Sequence, residues 1–134
     1  MEMKKELFFK HNIKLAVLFG SRAKGESRPD SDWDLAILFK DDFYGHNRHN
    51  MAVIKKNFLK ELCSLLETSK VDLVILNKVS PFLRYRVAKS GVPLFEENEG
   101  DFAAFASLAV RGYSDSMVFM KAGKRYLEKR VGNG

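Results

Sequence analysis

One cysteine, three prolines and no long apolar run are all this 134-residue chain offers of three features that mark whole protein classes. With Cys63 alone, no disulfide framework can form within the chain, and its place in the helical pattern FLKELCSLLE reads as a small buried hydrophobe, not a nucleophile. No stretch approaches the roughly 20 apolar residues that cross a bilayer, and the opening MEMKKELFFKHNIK lacks an apolar core of signal-peptide length. A cytoplasmic protein is the expectation. The prolines stand apart at positions 29, 81 and 93, and no repeat, low-complexity tract or linker divides the sequence, which implies one domain over residues 1–134.

What is present suffices to build a core. Hydrophobic residues make up 46% of the chain and aromatics 12%, and a domain of this size buries about two-thirds of its unfolded surface. The formal net charge of +6 suits a polyanion such as a nucleotide or nucleic acid, or an acidic protein face, and equally suits a basic surface that meets only water. Charge alone leaves these open.

Short aliphatic runs predict strands at 14–19, 33–39 and 71–76 and a shorter one at 93–96, PLFE. Helical periodicity covers 2–10, 50–68, 80–90 and about 99–130, while DDFYGHNRHN between them reads as a mobile loop. The alternation implies an α/β or α+β fold, with a small mixed sheet flanked by helices and a long C-terminal helical segment.

Between the first two strands lies GSRAKGESRPDSDWD, residues 20 to 34. Its first part nearly matches the phosphate loop G-x-x-x-x-G-K-[ST], but Glu26 stands where that loop needs a lysine, and Pro29 with the acids after it stops the helix the loop should open. The sequence therefore rejects that NTPase reading. A second way to hold a triphosphate remains. Asp32 and Asp34, two apart at a strand start, face the same way with Cα atoms about 7 Å apart. Mg²⁺ is commonly bound by one or two carboxylates plus substrate phosphates. Asp72 opens another predicted strand; should that strand lie beside 33–39, three acids would surround one spot, as two-metal catalysis requires. Gly20 lets backbone approach a ligand closely, and Ser21 with the amides of its turn can bind an anion. The alternative for each acid is a solvated strand end.

These residues carry a family resemblance. GS, ten residues, then DWD resembles the G-S-x10-D-x-D signature of the nucleotidyltransferases of the DNA polymerase β superfamily, and the short chain is similar to the minimal nucleotidyltransferases among them. VDLVIL resembles the family strand that carries a third carboxylate, and LRYRVAKSGVPLFEEN is similar to its helix-Gly-strand passage, so the resemblance covers most of the chain. It implies a nucleotidyltransferase fold, Gly20 and Ser21 on the nucleoside triphosphate, Asp32 and Asp34 on Mg²⁺, and Asp72 as a further metal ligand or base. Arg22, directly after the GS pair, is a further candidate for phosphate. Lys24 and Arg28 read as solvated, Asp30 as a cap or a water-facing acid, and His46 and His49 are assigned no role.

Proteins of this type resemble the antitoxin half of two-gene modules whose toxin is a HEPN-family RNase. The resemblance implies transfer of AMP from ATP, as substrate, to a tyrosine of that toxin, with no membrane involved and nucleic acid not expected as the direct substrate. The competing readings are a non-catalytic toxin-binding module of the same fold and a transferase acting on a small molecule such as an aminoglycoside.

The C-terminal segment adds a stripe of Phe102, Phe105, Ala109, Tyr113, Met117, Met120 and Leu127 with a basic end of Lys121, Lys124, Arg125, Lys129 and Arg130. It reads as core along most of its length, with its far end open to an acidic helical partner. Gly112 and Gly123 predict a break or a close contact within it.

Overall fold

Alternation of apolar side chains along the central strands gives one sheet two faces to bury. The structure is a computed structural model; it describes residues 5–132 apart from Ser27 and Asp30, with side-chain surroundings as far as Lys121. The expectations for Asp30, Lys124, Arg125, Leu127, Lys129 and Arg130 lie outside the described residues.

In chain order the elements are α1 Lys5–Lys10, β1 Ile13–Phe19, β2 Trp33–Phe39, α2 Asp41–His46, a 3₁₀ turn Arg48–Asn50, α3 Met51–Leu66, β3 Val71–Ile75, α4 Pro81–Ser90, β4 Val92–Glu96 and α5 Asp101–Gly132. The four strands form one mixed sheet in the order β3-β2-β1-β4. β1 is antiparallel to both β2 and β4, and β2 is parallel to β3. A parallel pair needs a crossover, which α2 and α3 supply. This is the mixed α+β architecture the sequence implies.

On one face Leu35, Ile37 and Phe39 of β2 meet Phe8, Phe58 and Leu62 from α1 and α3. Phe8 stacks on Phe95 of β4 at 4.9 Å between ring centroids. On the other face Leu15, Val17 and Ala36 meet Val87 of α4 and Phe105 and Ala109 of α5. By the same alternation Asp34 and Asp72 belong to this second face. Phe58 is fully buried, so its truncation to Ala would cost about 3–5 kcal/mol.

Three local devices fix the strand ends. The Trp33 amide donates to the Lys70 carbonyl at 2.8 Å, which aligns β2 and β3 where they begin. At the far end the Asn77 side chain accepts from the Phe39 amide and donates to its carbonyl, imitating one more residue of ladder. Ser80 caps α4 by accepting from the Leu83 amide, with Pro81 at the first helical position.

Two expectations are corrected. The stretch 41–50 is not a loop: Asp41 and Asp42 sit in the first turn of α2, where acids offset the helix dipole, and Phe43 packs on Phe39 at 5.7 Å. Nor does α5 break at Gly112. The helix runs unbroken through it, a Cβ there would meet nothing within 4 Å, and its cost of about 1 kcal/mol is absorbed by the packing of the flanking turns. Cys63 is a free, partly buried thiol. No helix among the described residues is long and apolar enough to cross a membrane.

Candidate active site

Gly20 ends β1 with φ +74°, a left-handed conformation that side chains strain to adopt. A second reason for glycine is space: a Cβ at this position would overlap Oδ2 of Asp34. The chain then coils through Ser21–Gly25, with the Lys24 amide donating to the Gly20 carbonyl at 3.2 Å and the Glu26 amide to the Ser21 carbonyl at 3.0 Å. The amides that open this coil are those of Ser21, Arg22 and Ala23. Such amides suit an anion.

The acids come from β2 and β3. Asp34 pairs across the sheet with Phe19 on one side and with Asp72 on the other. Two carboxylates are therefore direct neighbours on parallel strands, one residue beyond the Trp33–Lys70 bond that sets the register. Asp32 precedes β2 and is exposed, as is Asp72, while Asp34 is half-buried. Burial pushes the Asp34 carboxyl above the ordinary carboxylate range, the charges of Asp72 and Asp32 push it further, and Arg86 of α4 pulls the other way.

The expected three-acid cluster thus forms in part. Among the described residues no three His, Cys, Asp or Glu side chains gather closely enough to hold a metal unaided. Like charges with nothing between them repel, and Asp32 lies outside the strand. The donor set nevertheless fits Mg²⁺, which takes hard oxygen ligands and completes its shell with water and phosphate oxygens. A divalent cation would also offset the burial and the neighbouring acidic charges that raise Asp34.

Arg22 is turned inward. Its guanidinium donates to the Ser31 carbonyl at 2.8 Å and lies 4.2 Å over the Trp33 ring, so it ties the start of the turn to its end. Ser21 stands beside Gly20 at the head of the coil.

Sequence reasoning missed Arg86 and Lys89. They join Phe19, Gly20, Lys24 and Ser90 around a cavity of about 350 Å³ beside the acids. The sequence did carry a signal, since cations three apart on a helix share a face. Nothing in it placed that face over Gly20. The closing contact is Gly91, whose missing side chain lets the end of α4 settle on Val17 of β1.

A family model described as polymerase beta, nucleotidyltransferase matches residues 2–100. Protein adenylyltransferase MntA of Aphanizomenon flos-aquae (strain 2012/KM1/D3) is 35% identical over 96 residues, covering 69% of this chain and 63% of the relative. The chain thus spans under two-thirds of that relative's length. Among solved structures, a toxin–antitoxin with AMP-PNP aligns at TM-score 0.63 and 22% identity over 96% of this chain and 98% of that one. A tri-AMPylated Shewanella oneidensis HEPN toxin in complex with MNT antitoxin aligns at TM-score 0.58 and 22% identity, covering 94% and 90%. At these identities the two structures establish the fold.

Proposed function

The chain belongs to the polymerase β nucleotidyltransferase family, and from that premise we propose that it moves AMP from ATP to a tyrosine hydroxyl of a partner HEPN-family RNase toxin, in a Mg²⁺-dependent reaction, and so acts as the toxin's antitoxin. The observation that carries the reading is the Asp34–Asp72 pair on adjacent parallel strands, with Gly20 pressed against Asp34. The 35%-identical protein adenylyltransferase and the toxin–antitoxin complexes of the same fold support the choice of acceptor.

Each residue has a task. Gly20 brings backbone to the phosphates, and the Ser21 hydroxyl with the amides that follow donates to their oxygens. Asp32 and Asp34, with Asp72 alongside, would hold Mg²⁺, which when bound neutralises phosphate charge and activates the attacking oxygen. Asp72 is a third ligand or the group that takes the acceptor's proton. Arg22 acts on the nucleotide through the turn it braces.

Incubation of the chain with labelled ATP and the HEPN-family protein proposed as its partner tests the proposal. Label at the α-phosphate is expected on the partner and label at the γ-phosphate is not. Binding without transfer of either label would favour a non-catalytic module, and labelling of a small acceptor in place of the protein would favour the small-molecule reading.

A further inference from the structure

The charge boundary of the site runs through Gly20. On one side stand Asp34, pressed against it, and Asp72 across the strand pair. On the other is the cavity of about 350 Å³, whose described lining holds Lys24, Arg86 and Lys89 and no carboxylate. Arg86 and Lys89 lie three apart on α4, so both project from one face of a helix, and that helix is held down by the Gly91 contact on Val17. A ligand that spans the boundary must carry a metal-binding end and a bare anionic end.

A nucleoside triphosphate has this polarity, and we propose that Arg86 and Lys89, joined by Lys24, seat its β- and γ-phosphates and the pyrophosphate that leaves. The inference rests on the nucleotidyl transfer proposed above and adds to it two side chains of α4, which mono- and diphosphates would leave partly unpaired. In the reaction the acceptor oxygen bonds to the α-phosphorus, and the bond from that phosphorus to the oxygen bridging it to the β-phosphorus breaks. The electron pair departs with the pyrophosphate, and the hydroxyl proton passes to a nearby carboxylate or water. Negative charge grows on the bridging oxygen, and a fixed cation beside it is worth more in the transition state than before it. Arg86 suits the task by its planar fork of donors, which meets two phosphate oxygens at once; Lys89 adds a point charge.

Calorimetric titration with a non-hydrolysable ATP analogue, AMP and inorganic tripolyphosphate tests the seat without an acceptor. Both side chains are exposed, so Arg86→Gln and Lys89→Gln should melt like the parent. Each should bind the analogue and tripolyphosphate about tenfold more weakly or worse while AMP changes less than about twofold, and Arg86→Lys should recover part of the loss. Analogue affinity unchanged in both variants, AMP weakened in step with the analogue, or a parent that binds no triphosphate would each overturn the inference. A parent that transfers nothing yet loses tripolyphosphate binding in Arg86→Gln would sink the proposed function and leave the phosphate seat standing.

Discussion

Gly20 lies so close to Asp34 that a single added carbon at position 20 would overlap the Asp34 Oδ2 atom. The turn and the acid are therefore one unit, and the backbone of one defines the rotamer space of the other. Gly20→Ala suffers twice, from the clash and from φ +74°, and should lose about 1–3 kcal/mol of stability. Urea unfolding measures it. A midpoint equal to the parent's would mean that the turn swings clear of Asp34, contrary to the geometry described.

Asp34 should cost the fold something. Its folded pKa is raised by burial, Asp72 and Asp32, so the native state disfavours the ionised carboxylate relative to the unfolded chain. The penalty is absent below the ordinary carboxylate value near 3.8, grows as pH rises through the raised native value, and is complete above it. Asp34→Asn should accordingly melt higher than the parent at neutral pH, with the gap closing in acid, while transfer is lost. A variant that melts lower at pH 7 would show that Asp34 supports the fold.

The placement of Arg22 separates a brace from a phosphate ligand. Removing its bonds to the turn and its stack on Trp33, the only tryptophan in the chain, should cost Arg22→Ala about 1–3 kcal/mol. It should also shift the emission of Trp33 toward the red. Unchanged emission and stability with a raised KM for ATP would instead make Arg22 a direct contact.

On α5 the stripe divides. Phe105 is buried at 4% exposure and Met120 is 64% exposed, with Val118 and Phe119 open beside it. Met120→Asp should thus stay within about 0.5 kcal/mol of parental stability while weakening capture of the proposed HEPN partner, and Phe105→Ala should cost about 3–5 kcal/mol. Capture unaffected by Met120→Asp would put the interface elsewhere.

The sequence made the strands legible because their apolar runs were short and bounded by turn residues. Its paired acids and small-residue turn led to the family because those residue types at that spacing have few other uses. Three things were hidden, each for a physical reason. The segment 41–50 is rich in polar residues and holds Gly45, so its helix rests on tertiary anchoring of Phe43, which no local pattern states. The partners of Arg22, Ser31 and Trp33, lie nine and eleven residues on, across the turn, where no local pattern joins them. Arg86 and Lys89 line the cavity beside Gly20 only because the end of α4 settles on Val17 of β1, a tertiary contact that no local pattern states.

The most direct test of the proposed activity is AMP transfer by the Asp32→Asn, Asp34→Asn double variant, followed as label passing from α-labelled ATP to the proposed HEPN partner across a Mg²⁺ titration. Circular dichroism should give the parental spectrum and the partner should still be captured, while labelling falls to background at every Mg²⁺ concentration. Labelling at the parental rate by this folded variant would contradict the assignment of the site.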